Sequence, residues 1–173
     1  MNAASTALNA RAYIKISLFL TVGLRFKFGG ARHYAAAYGR MLAMRIQQEY
    51  AEQFDILTWV PTSRLRCLKR GYDQAQLLAE AVGQELGMTP LGTLKKVRHN
   101  RSQSGITGQA KRRANVLGAY KAVCPQEISG KRILLLDDVI TTGATAGECA
   151  RVLLTAGAKE VHCGCIAAAT HHE

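Results

Sequence analysis

No stretch of this chain is apolar for long enough to cross a bilayer. The most apolar early run, Ile16 to Leu24, spans nine residues between Lys15 and Arg25, where a spanning helix takes about 20. A secretory leader lacks its marks as well, because the extreme N-terminus carries no basic residue and no cleavage site follows the run. The five cysteines, Cys67, Cys124, Cys149, Cys163 and Cys165, are odd in number and form no Cys-x-x-Cys pair. That pattern argues against a disulfide framework or a zinc ribbon and fits reduced thiols. A soluble cytoplasmic protein, with no membrane partner, is the expectation.

Acid is the other scarce commodity. Twelve Asp and Glu face 23 Lys and Arg, and between Leu86 and Gln126 there is no acid at all while eight bases occur. A chain of this sign attracts polyanions, either a phosphorylated metabolite or a nucleic acid, and charge alone does not choose between them. Aromatic residues near the basic segments are limited to Tyr72 and Tyr120, a poor stacking platform for the bases of a single strand. With 173 residues, 48% of them hydrophobic, the chain suits one domain. We read residues 1–25 as a partly disordered N-terminal segment and 26–173 as the folded domain.

What is present in strength is the stretch Lys131 to Thr145. Ile133 to Leu136 is a run of four apolar residues suited to a strand buried on both faces, and it meets two carboxylates, Asp137 and Asp138. Then come Thr141, Thr142, Gly143, Ala144 and Thr145, a small hydroxyl-rich turn leading into a helical pattern from Ala146. Free N–H groups at a helix start, flanked by hydroxyls, cradle phosphate, and the two acids just upstream can hold vicinal hydroxyls of a sugar. The spacing therefore suggests a ribose 5-phosphate site. A plainer reading stays open, in which the acids cap a strand–helix turn and the Thr and Gly residues merely build it.

The rest of the chain reads as elements around that centre. A helix is expected over Arg32 to Tyr50, with Tyr34, Tyr38, Met41, Leu42, Arg45 and Ile46 on its packed face. Phe54 to Val60 reads as a buried strand, followed by a basic loop with Arg64, Arg66, Lys69 and Arg70 and a helix from Asp73, its N-cap, to Leu86. Amides and guanidinium forks in that loop suit a diphosphate, and a solvated basic loop is the alternative. Strands are expected over Leu91 to Val97, Gly118 to Cys124 and Glu160 to Ala168, with a mobile basic segment from Arg98 to Asn115 and a turn at Pro125 to Gly130. On the last strand Cys163 and Cys165 share one face and His162 takes the other, so these residues, with His171 and His172 at the terminus, read as packing and not as a metal site. The order of elements gives an α/β fold with a mainly parallel twisted sheet and flanking helices.

Two segments carry a family resemblance. Leu134 to Thr145 resembles the phosphoribosyl pyrophosphate (PRPP) motif of type I phosphoribosyltransferases, and Val60-Pro with Arg70-Gly-Tyr-Asp-Gln-Ala75 is similar to the corresponding stretch of the ComF group, phosphoribosyltransferase-like proteins associated with DNA uptake. A ComF pattern of bases also maps onto Lys96, Arg98, Asn100, Gln103, Ile106, Arg112 and Asn115, with Lys96 and Asn100 departing from the usual types. The four-cysteine zinc module that often precedes this domain in the group has no counterpart in the sequence.

The resemblance implies a type I phosphoribosyltransferase fold. It assigns the 5-phosphate to Thr141, Thr142, Gly143, Ala144 and Thr145, the ribose hydroxyls to the catalytic pair Asp137 and Asp138, and the pyrophosphate to Thr62, Ser63, Arg64, Arg70 and Gly71. Arg98, Gln103 and Arg112 fall on the flexible loop that closes over PRPP in such enzymes. Mg²⁺ would arrive with PRPP, with no metal held by the protein alone. The implied activity is transfer of the phosphoribosyl group to an unknown acceptor with loss of pyrophosphate. A PRPP- or nucleotide-sensing module without turnover, and a competence protein binding single-stranded DNA or a partner protein, are the alternatives. The acceptor and any oligomeric state are not written in the chain.

Overall fold

Ile133 to Leu136 is central because both of its faces are covered. The computed structural model describes residues 34–50, 54–98 and 114–168. Within them a parallel sheet of order β1–β4–β5 is built from β1 (Ile56–Trp59), β4 (Arg132–Ile140) and β5 (Glu160–Ala168). Side chains alternate across a strand, so Ile133 and Leu135 join a core with Cys149, Ala150 and Leu153 of α5 (Ala144–Thr155). Leu134 and Leu136 join a second core with Leu42 and Ile46 of α1 (Ala35–Glu49) and Leu78 and Val82 of α3 (Gln74–Leu86). The chain thus has the expected α/β architecture, a parallel sheet between layers of helix. Among the described residues no helix is long and apolar enough to cross a membrane.

The central strand outruns its expected end. β4 continues through both acids to Ile140, pairing Asp137 with Cys165 and Val139 with Ala167 on β5, whereas β1 pairs only as far as Leu136. The sheet is therefore stepped, and the acids lie on the part of β4 that overhangs β1. On that overhang the acids bond the backbone themselves: the Asp138 amide donates to Asp137 Oδ1 at 2.9 Å and the Val139 amide to Asp138 Oδ1 at 2.8 Å.

Five other elements differ from the sequence reading. The face of α1 that packs is Ala35, Gly39, Leu42, Ala43 and Ile46, while Tyr34, Met41 and Arg45 are exposed. The helices approach so closely that a Cβ on Gly39 would lie 2.5 Å from Ala81 Cβ, which makes small residues the contact surface. The basic stretch after β1 is largely helical, α2 (Arg64–Arg70), closed by Gly71 in the left-handed region at φ 79°. Pro125–Ile128 forms a short helix, α4, where a turn was expected. Finally, β2 (Leu94–Lys96) and β3 (Tyr120–Ala122), shorter than expected, pair antiparallel with each other and stand apart from the parallel sheet.

His162 and the two thiols divide as alternation requires. His162 lies edge-on to Tyr50 and Phe54, with ring centroids 5.1 and 5.3 Å away, whereas Cys163 and Cys165 sit in the α5-side core. Burial, with the Asp137 charge nearby, pushes the Cys163 thiol up to about 12. A thiol so protonated is packing material and a poor nucleophile.

Candidate functional site

The carboxyl ends of β1 and β4, where ligands of open α/β sheets bind, are joined by a network anchored on Asp73. Its carboxylate caps α3 by accepting from the Ala75 and Gln76 amides at 3.1 and 3.4 Å. The other oxygen accepts from the Thr62 amide at 2.8 Å, which ties the exit of β1 to the start of α3. Burial raises the Asp73 carboxyl despite three amide donors, and the nearby negative charge of Asp138 adds to the rise. Asp73 thus ties the Thr62 turn to α3, close enough to the acid end of β4 to feel the Asp138 charge.

The residues expected to face pyrophosphate lie on the turn after β1 and on α2. The Thr62 amide is already engaged by Asp73. Ser63 is buried and its carbonyl accepts from the Arg66 and Cys67 amides at 2.9 and 3.0 Å, opening α2, of which Arg64 is the first residue. Arg70 donates to Gln74 Oε1 at 2.5 Å, and Gly71 has open space where a Cβ would stand. A further cation of α2, Arg66, is exposed, and its charge is felt at Lys96 and Tyr120.

Lys96 and Tyr120 are cross-strand partners on the β2–β3 ribbon, with Lys96 Nζ 5.2 Å from the centre of the Tyr120 ring. Burial lowers the Lys96 ammonium, helped by the Arg66 charge, while Asp137 acts in the opposite direction. Burial also raises the Tyr120 hydroxyl, with Asp137 again contributing. The acids therefore diverge, as neighbours on a strand must. Asp137 belongs with Lys96, Tyr120 and the buried thiol of Cys149, and Asp138 with Asp73.

After Ile140 the chain turns through Thr141, Thr142 and Gly143 into α5. Gly143 is the N-cap at φ 73°, a left-handed conformation that costs an L side chain roughly 1–2 kcal/mol. Ala144 and Thr145, expected in the turn, are the first two residues of the helix, and the Ala144 amide lies 3.5 Å from Thr142 Oγ1. The positive end of the α5 dipole therefore opens directly beyond the acids. Arg98 donates to the Leu117 carbonyl at 2.7 Å across the base of the ribbon. Gln103 and Arg112 lie outside the described residues, as do Asn100, Ile106, residues 1–25, Arg32, His171 and His172.

One polar residue near this site gave no sequence signal beyond an i,i+3 pair with Arg151. Glu148 of α5 is buried and accepts from the Gly118 amide at 2.8 Å and from Arg151 Nε and Nη2 at 2.8 and 2.9 Å. Burial alone would raise its carboxyl, but the Arg151 guanidinium and the Gly118 amide outweigh it and hold the group below the ordinary carboxylate range. A depressed folded value means stability that is present above the unfolded value of about 4.3 and is lost as pH falls through the folded one. Glu148→Gln should flatten the fall of stability with pH below about 4.3, read from urea midpoints between pH 6 and 3. Equal slopes for both proteins would refute the assignment.

Comparison with known proteins supplies a context for this arrangement. The phosphoribosyl transferase domain family matches residues 67–173. Competence protein F of Haemophilus influenzae is 36% identical over 104 residues, 59% of this chain and 45% of that protein. The DNA utilization protein YhgH of Salmonella typhimurium is 29% identical over 147 residues, 82% of this chain and 63% of that protein. The chain thus spans between about half and two thirds of the length of these relatives. Among solved structures, the glutamine PRPP amidotransferase of B. subtilis, complexed with ADP and GMP, superposes with a TM-score of 0.53 at 28% identity. That match covers 78% of this chain and 26% of the amidotransferase.

Proposed function

Since this chain belongs to the phosphoribosyl transferase domain family, we propose that it binds PRPP across the carboxyl end of β4 and displaces pyrophosphate from it, in a ComF-like role linked to DNA uptake. The observation that carries this reading is continuity. One segment runs from Asp137 and Asp138 through the left-handed Gly143 into the N-terminus of α5, with Lys96 near Asp137 and the Arg66 charge reaching Lys96 from α2. Acceptor oxygens for sugar hydroxyls, helix amides for a phosphate and cations for a diphosphate are the groups that a ribose 5-phosphate with an activated C1 calls for.

In this mechanism the bond from C1 to the pyrophosphate oxygen breaks with its electron pair leaving on pyrophosphate, and the acceptor's lone pair forms the new bond. Positive charge develops at C1 and the ring oxygen, where a fixed carboxylate at Asp138 stabilises it. Lys96 and Arg66 offset the charge on the departing group. Mg²⁺ bound with PRPP would neutralise diphosphate oxygens. In this reading the ion is held chiefly by substrate oxygens and water. The setting is cytoplasmic in this reading.

The test is calorimetry with PRPP and Mg²⁺, followed by pyrophosphate release across purine, pyrimidine, amine and ammonia acceptors. Binding with release supports a transferase. Tight binding with no release above the spontaneous rate leaves a sensor, and no binding discards both. The net charge of +11 and the relative named for DNA utilization favour a second reading, direct DNA binding. In that case oligonucleotide affinity must fall steeply and linearly with salt on logarithmic axes. Weak binding that is flat with salt would remove that reading.

A further inference from the structure

We propose that Glu148 is a positioning residue that seats the Lys96–Tyr120 pair beside the acid end of β4. The inference rests on the reading of that end as the PRPP site, and it concerns a residue that touches no reacting group. Glu148 projects from α5, the helix that the phosphate turn opens, and its side chain is 5% exposed. One carboxylate oxygen receives the Gly118 amide, and the two-pronged Arg151 contact fixes the carboxylate's orientation. Gly118, left-handed at φ 68°, is where the chain enters β3, two residues before Tyr120.

Geometry makes that attachment consequential, beside the burial of Leu94, Ala119 and Tyr120 in the α5-side core. A ribbon with three residues in each strand has little stability of its own, so what holds its ends sets its angle to the sheet. Its far end is tied where the Val123 amide donates to the Thr93 carbonyl, and the Thr93 hydroxyl meets that of Thr58 on β1 at 2.8 Å. The end nearer the acids is tied to α5 through Glu148. Between them Ala119 and Tyr120 are buried, and Tyr120 carries Lys96 as its register partner. Moving the entry of β3 would swing the ammonium away from Asp137 without touching Asp137, Asp138 or the turn at Gly143.

The experiment compares the full chain with Glu148→Gln and Glu148→Ala. Amide exchange at Gly118 and the ring-current shift that Tyr120 imposes on the Lys96 ε-protons are read by NMR without ligand. Affinities for PRPP with Mg²⁺ and for inorganic phosphate follow by calorimetry. In Glu148→Ala we expect Gly118 exchange about tenfold faster or more, the Lys96 shift reduced, and PRPP bound about tenfold more weakly. Phosphate affinity should stay within about twofold, because the helix start is intact. Glu148→Gln, which keeps an acceptor oxygen for Gly118, should fall between, and it serves if the alanine variant does not fold. An unchanged Lys96 shift, or equal weakening of PRPP and phosphate, overturns the proposal. Wild-type protein that binds no PRPP defeats the transferase reading, and the Lys96 shift then still decides the role of Glu148.

Discussion

Asp138→Asn should lower pyrophosphate release on the order of 10²-fold or more, with a much smaller change in PRPP affinity. The substitution is nearly isosteric and keeps an oxygen to accept the Val139 amide, which Asp138 Oδ1 holds at 2.8 Å, so the overhanging end of β4 keeps its course. What is lost is a full negative charge beside a centre that becomes positive only in the transition state. An interaction of that kind appears in the rate and hardly in ground-state binding. Relief of the like charge that bears on Asp73 works in the same direction as retained folding, so lost stability does not imitate the effect. Turnover kept within about threefold would remove Asp138 from the charge-stabilising role.

The second large effect lies away from the chemistry. Gly39→Val should destabilise the protein by about 3 kcal/mol and lower the melting temperature by roughly 6–12 °C. A Cβ there meets Ala81 Cβ at 2.5 Å and the Ala81 backbone carbon at 2.9 Å, and backbone does not yield as the tip of a side chain does. Relief requires α1 and α3 to separate, opening the core of Leu42, Ile46, Leu78 and Val82. Met41→Ala, on the exposed flank of the same helix, should stay within about 0.5 kcal/mol. A Gly39→Val protein that melts with the wild type would mean that the helices are not in this contact.

The same helix shows where the sequence was misleading. Large apolar side chains carry the periodic signal, and at α1 that signal selected Tyr34, Met41 and Arg45 for the packed face, all of which are exposed. The close approach to α3 comes at Gly39, whose value lies in what it lacks, and pattern reading gives small residues no weight. The acids stood out because four apolar residues ending in two carboxylates and a hydroxyl-rich turn form a local pattern. That β4 runs on through them depends on its partner β5, which reaches further than β1 does. Pairing of β2 with β3 was hidden for the same reason. Helix α2 was taken for a loop because its bases marked it as solvated, while its stop at Gly71 needed a left-handed residue to be recognised as a C-cap. Glu148 showed only its i,i+3 pairing with Arg151, because its other partner, the Gly118 amide, is brought to it by the fold.

The two neighbours of β4 lie at unequal distances along the chain, and this bears on how the molecule assembles. Joining Arg132 to Glu160 closes a loop roughly a third as long as the one that joins Ile56 to Ile133, an entropic advantage of about 1 kcal/mol. The unit β4–α5–β5 is therefore the favoured nucleus, and it already contains the acid pair, the Gly143 turn and the start of α5. Strand β1, with α2 and α3 behind it, docks onto a strand whose exposed edge ends at Leu136. On the proposed function, the half of the site that would hold the 5-phosphate is then organised before the half that brings Arg66.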